Sequence, residues 1–597
     1  MLLLSPGMAQ TPLQKQIEAT HLGLFSKEDL FLIKSSGSNR AQTLNQYVKS
    51  YEILEVNSSA LNRIASNSIA NLEIDVPVKG SHITLQLIKS KVVDENTVFT
   101  TQSGKVNYQS GAYYSGIVKG QSNTLVAISF FNNSIIGVIT NEQGNYVLGN
   151  SNTQDRNSNE YILYNDKDLL IKKDFNCYAK TSGSETLPIV PMDMNRSLVA
   201  DKCVKVYIEA DYQVYLNQGS NTTNVLNFVT GLFNVTKTIY QNESIITSIS
   251  QINVWTVSDP YVTGNSTSEV LNLFEDAMSA GYNGDIAHLF SARNLGGGSA
   301  WVDVLCWSDK GGRTAVSANL DNTTPGFPTY SWNVNVVTHE MGHNLGSTHT
   351  HNCAWNGNNT AIDGCATPSP CANPGIPAGG GTIMSYCHMT GVGINFNLGF
   401  GPQPGNLIRS RVANATCISY CCPSDITITG TYSTPLTESQ TWIKSSGQTT
   451  ILSSANVKLD ADPVNGYILF QPASSSDFFY AAPTGSGSFI ASVLDGCAPG
   501  IPQKPAITTN SSGQINVATR TAGDVTVYPN PSTGIINIQS TLDQSAHIRV
   551  INVMGQTLYY ENYTTRLDLT GLKDGIYFLQ ILSKESTLIV NTKISIE

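Results

Sequence analysis

The chain has 597 residues, a formal net charge of −10 at pH 7 and no basic run, so nucleic acid is excluded as an expected partner. This length is enough for about three to five domains. No apolar stretch is long enough to span a membrane. Only 13% of the residues are charged, and the composition is typical of an exported multidomain protein.

The first ten residues combine a short apolar end with a small-residue cleavage pattern, Met8-Ala9-Gln10. These are features of the last part of a secretory signal, although a basic region and a full apolar core are missing. We interpret residues 1–10 as the remnant of a signal peptide. A segment without defined structure is the alternative.

Residues 11–195 are predicted to be rich in strands. The apolar run Leu125–Phe131 is followed by the turn signal Asn132-Asn133 and then by a second apolar run, Ile135–Ile139, which together predict a hairpin. The polar stretch from Lys180 to Asp201 is predicted to be a linker and the zone in which the chain is processed.

Residues 196–421 alternate between strand and helix patterns, which favours a twisted mixed sheet covered by helices. The apolar positions from Val225 to Ile239 recur at helical spacing, and Ser266-Thr267-Ser268-Glu269 is a capping box that opens a second helix. Strands are predicted at 204–210, 252–257, 285–292 and 300–306.

The run from His339 to His349 fits the pattern H-E-x-x-H-x-x-G-x-x-H at every specified position. His339 and His343 share one helix face, and Gly346 allows a sharp turn that returns His349 as a third imidazole. Three protein ligands leave one position of a tetrahedral zinc open, which is typical of a catalytic site. Glu340 lies beside the ligand face, where a carboxylate can take a proton from zinc-activated water.

The helix that carries this motif has an apolar stripe on the side opposite the histidines. The spacing predicts that Ser331 or Asn333 caps its start and that Gly346 ends it. Downstream, Met384 and Tyr386 follow a run of three glycines.

The zinc motif and the Gly379–Tyr386 stretch together resemble the metzincin metallopeptidases, and Gly342–Gly346 most resembles their reprolysin or adamalysin branch, in a bacterial subgroup. The resemblance implies an α/β (α+β) domain with a mixed five-stranded sheet and a zinc helix. It makes Met384 the methionine beneath the metal. It also makes Tyr386 a candidate stabiliser of the oxyanion, with a packed tyrosine as the alternative.

The resemblance also implies that residues 11–195 are a propeptide and that the strand matching residues 300–306 binds an extended substrate peptide at the sheet edge. Two positions differ from the residues that are usual in this branch. Thr350 stands where an aspartate is usual. His351, the next residue, is a further candidate ligand, with a residue at the surface or behind the ligands as the favoured alternative. Lys205 stands where the first acidic calcium ligand is expected, although Asp285 falls near another, so a calcium ion is left open beside the one catalytic zinc.

Eleven cysteines, most of them around the zinc motif, indicate disulfides formed in an oxidising compartment. The odd number leaves at least one thiol without an internal partner. Cys177 precedes the proposed peptidase domain and is a candidate zymogen switch, because a thiolate is a good zinc ligand. A disulfide such as Cys177–Cys203 is the alternative.

The remaining chain is predicted to form two small all-β domains. Short strand patterns over residues 422–510 indicate an accessory module with stacked strands, and a linker follows. Alternating strands over residues 523–597 indicate a β-sandwich. Val527–Gly534, Val553–Gln556 and Leu572–Phe578 resemble the C-terminal sorting domain of type IX secretion cargo in Bacteroidota. This resemblance implies contact with the outer-membrane secretion machinery, followed by release or attachment at the cell surface.

The sequence therefore predicts a secreted zinc metalloendopeptidase of a Gram-negative bacterium, made as a zymogen and acting on protein or peptide substrates. A surface adhesin or binding protein with an inactive protease fold is the alternative, against which the complete ligand set and Glu340 argue.

Overall fold

The structure is a computed structural model, and the chain divides into two compact units, residues 1–500 and 501–597. Residues 1–10, predicted to be the remnant of a signal peptide, and the two predicted linkers, apart from Lys180, lie outside the described residues. The described residues are 11–19, 25–34, 38–66, 69–78, 80–93, 96–152, 158–171, 176–180, 202–320, 327–418, 426–432, 436–440, 443–451, 456–461, 468–469, 478–481, 488–492, 526–530, 532–539, 547–552, 557–573, 575–582 and 588–596.

The N-terminal region, residues 11–180, consists of strands with three short helices. The helices are α1 (Pro12–Ala19), α2 (Ser38–Leu44) and α3 (Ser58–Ala65), and the strands are β1 (Ser26–Glu28), β2 (Phe31–Ile33), β3 (Tyr51–Val56), β4 (Asn71–Val78), β5 (Ser81–Lys89), β6 (Val98–Thr101), β7 (Gly104–Lys105), β8 (Ala112–Val118), β9 (Leu125–Phe131), β10 (Ser134–Asn141), β11 (Gly144–Asn150), β12 (Glu160–Asn165) and β13 (Asn176–Lys180). Ten of these strands form one sheet in the order β1-β4-β5-β8-β9-β10-β11-β12-β3-β2. The predicted hairpin is β9 and β10, which pair antiparallel around Asn132 and Asn133.

The central region, residues 202–418, contains a second sheet and five helices. Its elements are β14 (Cys203–Ala210), α4 (Tyr212–Asn217), α5 (Thr222–Asn242), β15 (Ile246–Val254), α6 (Thr267–Met278), β16 (Ile286–Phe290), β17 (Gly297–Trp301), β18 (Thr314–Ser317), α7 (Tyr330–Asn344) and α8 (Pro402–Asn414). Five strands run in the order β17-β18-β16-β14-β15, and only β17 is antiparallel to its neighbour in this set.

The sheet of the central region is extended at both edges by the N-terminal region, so it has eight strands rather than the expected five. Strand β13 adds to β17 in parallel, and the β6–β7 hairpin adds to β15 at the opposite edge. Such additions use the free N–H and C=O groups of an edge strand. The two regions therefore share one sheet.

Helix α5 lies between the two sheets and contacts β8, β9, β10 and β15. It is buried on nearly all sides, as expected for a helix inside a core. Asn234, fully buried, donates from Nδ2 to the carbonyl oxygens of Tyr114 and Ile128 and to the hydroxyl of Ser129. A hydrophobic cluster with members from both regions surrounds the helix and reaches the zinc-motif helix.

Residues 426–492 form two parallel sheets whose strands alternate along the chain. The strands are β19 (Ile426–Tyr432), β20 (Leu436–Gln440), β21 (Ile443–Ile451), β22 (Asn456–Ala461), β23 (Ile468–Leu469), β24 (Phe478–Ala481) and β25 (Ser488–Ser492). One sheet contains β19, β21, β23 and β24, and the other contains β20, β22 and β25. All described pairings are parallel, which is the arrangement of a small solenoid.

The second unit contains two small antiparallel sheets. Its strands are β26 (Thr526–Tyr528), β27 (Ile535–Gln539), β28 (His547–Asn552), β29 (Thr557–Asn562), β30 (Arg566–Asp568), β31 (Gly575–Leu582) and β32 (Leu588–Ile596). The sheets have the orders β26-β27-β30 and β29-β28-β31-β32, and their apolar faces share one core. Of the three motifs found here in the sequence, the second, Val553–Gln556, lies outside the described residues.

Helix caps and strand limits differ in places from those expected. Ser266 caps α6 through its bond from the Glu269 N–H, as predicted. Helix α7 instead begins at Tyr330 after Thr329, without a side-chain cap, so the prediction of Ser331 or Asn333 as cap is wrong. The strand predicted at 300–306 lies earlier in the chain, as β17, which begins at Gly297 and ends at Trp301.

Candidate metal centre and cleft

Helix α7 and the turn after it bring three imidazoles together. His339 and His343 lie one turn apart, and Gly346, at φ 112°, returns the chain so that His349 faces them. The Nε2 atom of His343 lies 3.1 Å from Nε2 of both other rings. All three histidines are buried.

Hydrogen bonds fix the orientation of two of these rings. Nδ1 of His339 donates to the carbonyl oxygen of Ile383 at 2.8 Å, and Nδ1 of His343 donates to that of Ser347 at 2.7 Å. A carbonyl oxygen only accepts, so the proton is on Nδ1 and the Nε2 lone pair points to the common centre. Burial lowers the pKa of His339 and His343, which keeps these rings neutral.

Cys177 supplies a fourth donor from β13. Its sulfur lies 3.3 Å from Nε2 of His343, and the four donor atoms lie within 4.8 Å of one another. Zinc–nitrogen bonds of 2.0–2.1 Å in a tetrahedron separate two nitrogens by roughly 3.3 Å. The donor types, their spacing and their burial therefore fit a zinc ion held by three imidazoles and one thiolate.

Glu340 lies next to these donors and is fully buried. Its Oε2 is 3.4 Å from the Cys177 sulfur, and its buried Oε1 has no hydrogen-bond partner among the described residues. Burial raises the pKa of Glu340 to about 8. Burial, followed by the charge of Glu340, raises the pKa of the Cys177 thiol. A bound cation reverses such a shift and favours the thiolate.

Met384 lies under the zinc helix and is fully buried. A Cβ on Gly342 would lie 2.7 Å from the Met384 sulfur, so the helix approaches this side chain at the one position without a Cβ. The backbone carbonyl of Met384 accepts the N–H of Thr350 at 3.1 Å, which connects the methionine turn to the segment after His349.

Tyr386 lies beside the centre and is hydrogen-bonded to the backbone of Cys177. Its hydroxyl donates to the Cys177 carbonyl at 3.0 Å and accepts from the Cys177 N–H at 3.3 Å. The Tyr386 ring lies 4.8 Å from the ring of His349. The tyrosine is therefore bonded to the segment that carries the fourth donor.

Strand β13 pairs with β17 next to the metal centre. Cys177 lies opposite Gly298, and Tyr178 lies opposite Ser299, whose hydroxyl donates to the Tyr178 carbonyl at 2.7 Å. A Cβ on Gly298 would lie 2.1 Å from Oε1 of Glu340. Gly298 is a site residue that the sequence interpretation missed; the run of three glycines, 296–298, was the available signal.

His351 and the two residues at the expected calcium positions, Lys205 and Asp285, are not among the four converging donors. The His351 ring stacks on His349 at 5.0 Å and is not one of the four converging donors. Asp285 accepts the backbone N–H of Lys205 at 2.8 Å. A calcium ion near these two residues stays a prediction.

Disulfides join the loops around the centre. The pairs are Cys306–Cys417, Cys353–Cys371 and Cys365–Cys387, and Cys203 is also disulfide-bonded. Cys177 is a free, buried thiol, so the alternative pairing Cys177–Cys203 is wrong. Its position beside three imidazoles explains why a free thiol is buried here.

Comparison with known proteins identifies two parts of the chain. Residues 200–396 match the model of metallo-peptidase family M12 in its reprolysin form, and residues 526–597 match the secretion system C-terminal sorting domain. Metalloproteinase-II from Bacteroides fragilis is similar at 10% identity and a TM-score of 0.29, over 51% of this chain and 92% of that one. A chaperone–substrate complex is similar at 8% identity and a TM-score of 0.22, over 58% of this chain and 56% of that one.

The two family matches indicate a secreted metallopeptidase. The chain carries a reprolysin-like domain of the zinc-dependent M12 metallopeptidases, together with a C-terminal sorting domain that indicates export through the type IX secretion system of Bacteroidota. Among the described residues, no helix has the length and apolar character needed to cross a membrane.

Proposed function

We propose that the protein is a zinc-dependent endopeptidase that is made as a zymogen and hydrolyses peptide bonds in extracellular proteins. The observation that carries this proposal is the convergence of three imidazole Nε2 atoms and a buried, unpaired carboxylate oxygen of Glu340 in one centre. A protein without catalytic activity would gain nothing from burying that carboxylate, since burial without a partner costs free energy.

His339, His343 and His349 would hold the metal through Nε2. When bound, zinc supplies Lewis-acid chemistry, lowering the pKa of water toward neutrality and polarising a carbonyl. The bonds from Nδ1 of His339 and His343 to backbone oxygens keep these two rings in the ligating tautomer.

Glu340 acts as the general base in this proposal. Its carboxylate accepts the proton of the attacking water and passes it to the nitrogen of the leaving amine. Burial raises the pKa of Glu340 above the ordinary value for a glutamate, which makes its carboxylate a stronger base. Tyr386 donates its hydroxyl to the oxygen of the scissile carbonyl as negative charge develops there.

In this proposal, Cys177 and β13 keep the protein inactive before it is processed. The Cys177 thiolate would occupy the ligand position that catalysis needs open, and β13 occupies the strand edge that a substrate backbone would pair with. The hydroxyl of Tyr386 is bonded to Cys177 in this state and so is withheld from a substrate. Residues 11–195 are the propeptide in this reading, and cleavage between residues 181 and 201 starts activation.

We further propose residues 196–421 as the catalytic domain, 422–510 as an accessory module and 523–597 as the sorting domain. The Met384 turn supports the zinc helix from below. After export, the protein is released or attached at the cell surface.

The test uses the full chain cut within residues 181–201, with casein as substrate. We expect cleavage that is lost with a zinc chelator and regained when zinc is added back, together with one zinc per chain. A cut, folded and zinc-loaded protein that cleaves neither casein nor a peptide library would contradict the proposal and favour a binding role.

A further inference from the structure

The last described residue of the N-terminal region, Lys180, has its side chain in a defined site on the central region. The Val302 N–H donates to the Lys180 carbonyl at 2.9 Å, which fixes the backbone beside Trp301. The ammonium group lies 5.3 Å from the centre of the Trp301 ring and donates to the Ser268 carbonyl at 3.5 Å. It also donates to Oδ1 of Asn272.

The acceptors of this site are held by the central region itself. Trp301 Nε1 donates to Oε2 of Glu275 at 3.1 Å, which orients the indole face toward Lys180. Glu275 is half-buried, and burial raises its pKa, as do the charges of Asp309 and Asp276, whereas Lys180 lowers it. Burial lowers the pKa of Lys180, and the charge of Glu275 opposes that shift.

The position of this site relative to the metal centre follows from the strand register. Cys177 lies opposite Gly298 and Lys180 lies opposite Trp301, three residues further along the same edge. Three strand residues span about 10 Å. Any extended peptide paired with β17 therefore passes the site a few residues from the bond that is cut.

We propose that Trp301, Glu275 and Asn272 form a substrate subsite for a lysine or arginine side chain, which Lys180 occupies in the latent protein. This inference rests on the proposed peptidase function and adds a substrate class to it: extended peptides with a basic residue at one fixed distance from the scissile bond. An aromatic face, a carboxylate and neutral oxygen acceptors are the groups that bind such cations.

The experiment compares internally quenched peptides that carry Lys, Arg or Ala at each of four positions on either side of the cut. The cut full chain is expected to prefer Lys and Arg at one position, with kcat/KM about five- to tenfold above that for Ala, the range for one cation–π contact together with the nearby charge of Glu275. In Glu275→Gln this ratio should fall below about twofold. Asp276→Asn, which removes an exposed charge from the next residue of α6, is the matched control and should keep the ratio.

A second measurement separates this proposal from the peptidase function. The cut Glu340→Gln protein is titrated with two labelled peptides of the sequence 174–180, one ending in Lys and the other in Ala. Tighter binding of the Lys peptide that Glu275→Gln abolishes supports the subsite, even if no peptide is cleaved by the parent protein. Cleavage of neutral peptides without a basic preference at any position, or a ratio unchanged in Glu275→Gln, would overturn the subsite and leave the peptidase standing.

Discussion

Gly298 on β17 faces Glu340 so closely that a Cβ at this position would lie 2.1 Å from the carboxylate oxygen Oε1. The two residues come from different elements, β17 and α7. The absence of a side chain at Gly298 therefore makes the space in which the proposed base sits.

Gly298→Ala should displace Glu340 while the three imidazoles remain in place. We expect kcat/KM to fall about 10²-fold, since a misplacement of about 1 Å is enough for such a loss. Bound zinc per chain should stay at one, measured by metal analysis. Gly379→Ala is the control, because a Cβ there meets no atom within 4 Å. Full activity of Gly298→Ala would refute this account of β17.

Cys177→Ala should weaken latency without cutting of the chain. The variant loses the fourth donor and the contact with Glu340, so we expect peptide cleavage by the uncut chain at least about tenfold above that of the uncut parent. Tyr178→Ala is the control, since this neighbouring side chain is exposed. Equal latency of parent and Cys177→Ala would mean that the thiol is not the switch.

Tyr386→Phe should affect both the latent and the active protein. Loss of the hydroxyl removes both bonds to Cys177, so β13 should show faster amide hydrogen exchange in the uncut chain. In the cut chain, kcat should fall about 10²-fold, the effect of losing one donor to a developing oxyanion. A variant with unchanged kcat but faster exchange would limit Tyr386 to a role in latency.

Gly342→Ala tests the contact between the zinc helix and the methionine turn. The new methyl group would lie 2.7 Å from the Met384 sulfur and 2.8 Å from a ring carbon of Phe400. Overpacking of this kind costs about 1–3 kcal/mol in the free energy of unfolding, measured by urea denaturation. The double variant Gly342→Ala with Met384→Ala should regain part of that loss, and no recovery would show that Met384 is not the limiting neighbour.

The local sequence pattern was sufficient to predict the part of the site that lies within one short segment. The spacing of His339, His343 and His349 predicted their meeting, because helix geometry and one positive-φ glycine fix it over eleven residues. The cap of α6 at Ser266 could likewise be predicted, since a capping box involves only four consecutive residues.

Contacts between segments that lie far apart in the sequence could not be predicted from local sequence patterns. Cys177 meets Glu340 across 163 residues of sequence, through a parallel strand pairing that hydrophobic periodicity does not encode. The pairing of β6 with β15, and the burial of α5 between two sheets, depend on the same kind of contact. The sequence offered Cys177 as one candidate among alternatives, and its place beside the imidazoles came only from the fold.

The most direct test of the central claim is Glu340→Gln in the cut full chain, measured with casein and by zinc analysis. The substitution keeps the size of the side chain and removes its ability to take a proton. We predict one bound zinc per chain, unchanged thermal unfolding and a loss of cleavage of at least about 10²-fold, within the range for general-base catalysis. Zinc retained with near-normal cleavage would contradict Glu340 as the base, and with it the proposed mechanism.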